Sequence, residues 1–134
     1  ALQFVPTNEE DIFTDAKNFY YNPKFILLRF KENTSSVNRV LLHSILHCML
    51  LHPFNIDFKD TRLWNLSSDI CVENIINSWN LNVTKSQKEV AQSVVINEIS
   101  KSIKNLSAEN IYYYLKGEEL PEDTTSLIML RQNL

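Results

Sequence analysis

Glycine is nearly missing from this chain. Gly117 is the single glycine in 134 residues, where average usage would supply about 9. That excludes the glycine-rich loops with which nucleotide-binding proteins cradle phosphate. It also disfavours sandwiches and barrels, which need many tight turns. Cysteine is scarce too. Cys48 and Cys71 both lie in apolar runs, too few for a disulfide framework, and they read as reduced, buried residues of a cytoplasmic protein. There is no excess of basic charge: the net charge is −3, which argues against a nucleic-acid surface. No apolar run is long enough to cross a membrane, and no charged-then-apolar leader opens the chain.

What is present suits one soluble domain over residues 1–134. The hydrophobic fraction is 44% and the charged fraction 22%, those of an ordinary globule. A chain of this length buries about 68% of its unfolded surface. It begins at Ala1 and ends at Leu134 without a clear closing element, and so reads as a piece of something longer.

Residues 2–5 (LQFV) predict a short strand ending at Pro6. Ile12-Phe13 and residues 18–21 flank TDAK, which predicts an N-terminal β-hairpin, although Ala16 is a poor turn residue. About five helices follow. Asn22-Pro23 is a good helix start, and Phe25, Leu28 and Phe30 offer an apolar face. A central helix is expected over residues 37–51, capped by Thr34, Ser35 or Ser36 and stopped by Pro53. Asp60 should cap a third helix over residues 61–79. Thr84 should cap a fourth, with Val90, Val94, Ile99, Ile103 and Leu106 at helical spacing. Ser107 should cap a fifth, closed by Gly117 in left-handed geometry. An acidic loop over residues 118–123 and an apolar segment over residues 126–130 complete the chain.

All three histidines, His43, His47 and His52, fall within residues 41–53 (LLHSILHCMLLHP). Four residues apart on a helix, His43 and His47 share a face. That is the spacing with which two imidazoles hold one zinc ion in the HExxH motif. The position of that motif's general-base Glu carries Ser44. Two readings of the pair stand side by side: a metal site, or core histidines hydrogen-bonded to neighbours. Buried without any partner, the imidazoles would cost a few kcal/mol. Asp69 stands on an otherwise apolar helix stripe. It is the better candidate for a third ligand, or else it bonds one of the histidines with no metal. His52 is an alternative ligand if the chain swings back after Leu51, and otherwise a cation capping the helix C-terminus.

These residues add up to a resemblance. The segment HSILHCMLLHPF…KDTRLWNLSSDICVEN resembles the metallopeptidase domain of bacterial proteins that often carry a von Willebrand factor A-like domain after it. That family's pattern is HExxHxxxxH, an acidic loop, then W-N-x-x-x-D. His43, His47, His52, Asp60, Trp64, Asn65 and Asp69 stand at the matching places. Upstream, FTDAKNFYYNP is similar to the family's T-D-G-x-x-x-Y-N-P, with Ala16 where the family has Gly. Downstream, LSAENIYYYL resembles its A-E-x-I-Y-x-x-L. The resemblance implies a mainly helical α+β domain with a zincin-like core. It also implies zinc held by His43, His47 and a third ligand, with Asp69 preferred.

It does not restore catalysis. In such enzymes the Glu after the first histidine takes a proton from the attacking water, and Ser44 has neither the reach nor the basicity. Glu73, one turn beyond Asp69, is a weak substitute base, and otherwise a partly exposed charge at a helix rim. The expectation is an inactive metallopeptidase-like module that retains a zinc site and binds or regulates a protein or peptide. The rivals are an active zinc-dependent hydrolase with a non-standard base, and a metal-free structural domain.

Overall fold

The computed structural model describes residues 2–10, 12–55 and 57–117. Five α-helices and one three-stranded sheet make these residues a mainly helical α+β chain. They group into two compact units, residues 2–55 with 80–86, and residues 57–79 with 87–117. The acidic loop and apolar segment expected over residues 118–123 and 126–130 lie outside the described residues.

The first unit opens with the sheet. Strands β1 (Gln3–Pro6), β2 (Phe13–Thr14) and β3 (Asn18–Tyr21) lie in the order β1-β3-β2. β2 and β3 form the antiparallel hairpin, with Phe13 opposite Tyr20 and their rings stacked at 4.7 Å. β1 pairs parallel to β3, which alternation alone does not reveal, because a strand's pattern gives its faces and not its neighbour. The turn is tied by Asp15, whose Oδ1 accepts from the backbone N–H of Lys17 at 2.9 Å and of Asn18 at 2.6 Å. Ala16 at its apex has φ 71°, a left-handed conformation that penalises a Cβ.

Helix α1 (Pro23–Glu32) starts as its sequence predicts. Asn22 Oδ1 accepts from the N–H of Lys24 and of Phe25, and Pro23 occupies the first turn. Its apolar face is not a buried one: no residue of α1 is buried, and Leu28 and Phe30 are exposed. Helix α2 (Thr34–Met49) begins three residues earlier than the hydroxyl caps imply. Asn33 serves both helices. Its N–H donates to Arg29 O at 2.7 Å, closing α1, while its Oδ1 accepts from Ser35 N at 3.0 Å, opening α2. Two side chains of α2 fasten it to the 3₁₀ turn Asn82–Thr84. Asn38 Nδ2 donates to Val83 O at 3.1 Å, and buried Arg39 donates through Nη1 to Thr84 O at 2.9 Å.

In the second unit, helix α3 (Thr61–Trp79) is capped as expected by Asp60, whose Oδ1 accepts from Leu63 N at 3.0 Å. Helix α5 (Ala108–Gly117) has Ser107 Oγ accepting from Asn110 N at 3.3 Å. α3 packs on α5 and on α4 (Glu89–Ser102) around Ile70, Ile96, Ile99, Ile111, Tyr112 and Leu115. Phe58 stacks on Trp64 with ring centroids 4.2 Å apart.

Three sequence expectations are corrected here. Thr84 does not cap α4. Its hydroxyl donates to Leu81 O inside the 3₁₀ turn, and α4 starts only at Glu89. The buried face of α4 is Gln92, Val95, Ile96 and Ile99, while Val90 and Val94 are exposed. Gly117 is not left-handed. Asn80, directly after α3, has that geometry with φ 51°, a position Asn tolerates better than most side chains.

Candidate metal centre

Helix α2 carries both central histidines on one face. His43 Nε2 and His47 Nε2 approach to 2.9 Å, with ring centroids 4.6 Å apart. Both rings are half-buried. Each therefore turns its Nε2 toward the other, an arrangement open to two ligands of one ion.

His52 reaches the other side of His47. Helix α2 ends at Met49 rather than Leu51, and Leu51 adopts φ 59°, ψ 22°, left-handed geometry that a residue with a side chain adopts at a cost. The chain reverses there into a 3₁₀ turn, His52–Phe54. His52 is buried, and its Nδ1 lies 3.1 Å from His47 Nδ1. His52 thus meets His47's Nδ1 and not its Nε2.

Ser44 is buried, and its hydroxyl donates to Val40 O, one turn back, at 3.1 Å. Such bonding along the helix is a common use of a mid-helix serine. Asp69 is half-buried on α3, flanked in sequence by buried Ser67, Ser68 and Ile70. Glu73 is buried, not a rim charge, and its Oε2 accepts from Gln92 Nε2 at 2.9 Å. Gln92 Oε1 in turn accepts from Asn77 Nδ2 at 3.0 Å. Among the described residues, His43, His47 and Asp69 make up the one group of three His, Cys, Asp or Glu side chains that could hold a metal ion.

The donor set fits a divalent ion of zinc's kind, since two imidazoles and a carboxylate are the commonest nitrogen and oxygen donors to it. Zinc–nitrogen bonds of ~2.0–2.1 Å in tetrahedral geometry place two ligand nitrogens ~3.3 Å apart. The observed 2.9 Å needs the rings to part by only a few tenths of an ångström. Cys71, a soft donor in the second unit, is not in the group. Burial pushes its thiol above the ordinary 9.0, which keeps it an inert core residue.

A family model described as "Putative metallopeptidase domain" matches residues 2–127. The chain belongs to that family. Neither a curated protein nor a solved structure matches the chain. The family implies a metal ion, and the His/His/Asp group gives it candidate ligands. Among the described residues, no helix is long and apolar enough to cross a membrane.

Two features of α2 were not fully legible in the sequence. One is Arg39, a charged residue buried by its bond to a backbone carbonyl. The other is the contact between His47 and His52, for which the His-Pro pair at the helix end was the available signal, because the residue before proline is driven out of helical geometry.

Proposed function

We propose that this member of the metallopeptidase-domain family is a zinc-binding module that does not hydrolyse peptides. It keeps a zincin-like core, and His43, His47 and Asp69 hold the zinc. The observation that carries the reading is the state of Ser44. The residue stands where the HExxH motif has its general base, and its buried hydroxyl donates to Val40 O.

A zinc ion held by these side chains would supply Lewis-acid polarisation of a bound carbonyl. The chain must supply the rest. His43 and His47 can hold an ion but cannot also take up a proton through the same nitrogens. Ser44, a neutral hydroxyl, cannot act as a base near neutral pH, and general-base assistance is worth typically about 10²–10⁴-fold. Glu73 supports no substitute role, because Gln92 holds its carboxylate in a buried network. The remaining capacity is recognition. We assign the domain a binding or regulatory role toward a protein or peptide, in a cytoplasmic bacterial protein that carries further segments such as a von Willebrand factor A-like domain.

The test is to restore the base. Ser44→Glu should confer metal-dependent cleavage of an unstructured protein such as casein, while the unaltered chain shows none. Cleavage by the unaltered chain that disappears in His43→Ala would overturn the reading.

A further inference from the structure

His52 is buried, yet it lies outside the group of three candidate ligands. Its Nδ1 lies 3.1 Å from His47 Nδ1. Two facing ring nitrogens at this distance share a single hydrogen: one is N–H and the other offers its lone pair. His43 Nε2 and His47 Nε2, 2.9 Å apart, can share a hydrogen in the same way only while no ion is held between them, because an ion takes a lone pair from each.

A neutral His47 has one N–H to place. With the hydrogen on Nε2, His47 donates to His43, accepts from His52, and has no Nε2 lone pair for a metal. With the hydrogen on Nδ1, it donates to His52 and leaves Nε2 free to coordinate. Only the second arrangement is compatible with metal binding through the nitrogen that faces His43. The backbone is built to hold His52 in the accepting place, since Leu51 takes a left-handed conformation directly before it and Pro53 fixes the turn directly after. Leu51 is itself exposed, so nothing about its own side chain's burial calls for that conformation.

We infer that His52 is a positioning residue for the metal centre: it accepts the Nδ1–H of His47, selects the tautomer whose Nε2 lone pair faces the ion, and fixes the plane of that ring. This inference rests on the zinc reading of His43 and His47, and it assigns His52 a role other than ligand. A histidine ligand that donates its second N–H to an oriented acceptor is both aligned and made more basic.

The experiment compares zinc affinity, by competition with a chromophoric chelator, for the unaltered chain, His52→Ala, His52→Asn and His43→Ala. Asn offers an acceptor oxygen close to where the Nδ1 lies, but is a poor zinc ligand. His52→Ala should still bind zinc, weakened about 10–100-fold. His52→Asn should recover most of that loss, and His43→Ala should bind no zinc tightly. Independently of any variant's folding, two-bond 1H–15N NMR of the zinc-loaded unaltered chain should place His47's hydrogen on Nδ1. Unchanged affinity in His52→Ala, loss in His52→Asn as complete as in His43→Ala, or a His47 hydrogen on Nε2 would each overturn the role while leaving the zinc reading intact. An unaltered chain that takes up no zinc would instead bring down the zinc reading, and this inference with it.

Discussion

At the scale of single residues, the turn between β2 and β3 shows how a local rule can be broken and compensated. Ala16 occupies a left-handed position at φ 71°, where the Cβ costs roughly 1–2 kcal/mol. The carboxylate of Asp15 offsets this by accepting two backbone N–H groups. Those of Asn18 and then Lys17 hold it well below its ordinary 3.8, at about 2. Ala16→Gly should therefore stabilise the fold by about 0.5–1 kcal/mol, the relieved strain less the added freedom of the unfolded chain, read as a higher urea midpoint. The Asp15 contribution has a definite pH sign. Because the folded value is depressed, the stabilisation is complete above the unfolded value and is lost as pH falls from about 4 toward 2. The stability gap between the unaltered chain and Asp15→Ala should close over that window. A gap independent of pH would mean that the charge of Asp15 contributes nothing.

At the scale of elements, side-chain caps decide where helices begin, and their legibility varied with how local the cap is. Asn22 with Pro23, and Asp60 before α3, bond to N–H groups two or three residues ahead, so sequence alone places them. The cap of α2 was misplaced because Asn33 closes one helix and opens the next, and the run Thr34, Ser35 and Ser36 after it offered equally good caps. Removing its side chain should cost about 1 kcal/mol, seen as a lower denaturation midpoint for Asn33→Ala. Thr84 was misread for a different reason. Its place is set by contacts distant in sequence, with Asn38 and Arg39 bonding the carbonyls of Val83 and Thr84, and no local pattern contains them. The parallel pairing of β1 with β3 was likewise beyond reach, since it depends on which strand the chain returns beside.

The candidate site divides the same way. His43 and His47 were legible from their spacing, because one helical turn fixes where two side chains stand, and their facing Nε2 atoms follow from it. The group of side chains that could take an ion contains Asp69 and not His52, and the choice of third ligand belongs to the proposed reading. The contact of His52 with His47 was only half visible. It needs Leu51 in a conformation rarely adopted by residues other than glycine, and sequence offered no warning beyond the proline two residues on. The burial of Glu73 was missed because its partner, Gln92, lies on another helix.

At the scale of the whole molecule, membership of a metallopeptidase-domain family stands beside a His/His/Asp group that could hold a metal ion. In the proposed reading, a domain without the base that keeps paired imidazoles would retain the means to bind a metal while giving up the proton transfer that hydrolysis requires. Bound metal would also stabilise the native state by mass action, a reason for such a site to outlast its chemistry. Central to this account is that the chain holds a metal through these histidines. The most direct test is zinc content by elemental analysis, on chain purified without an affinity metal and then given zinc, beside His47→Ala treated identically. The account predicts about one zinc per chain, lost in the variant. Zinc-free protein after loading, or the same zinc content in both, would contradict it.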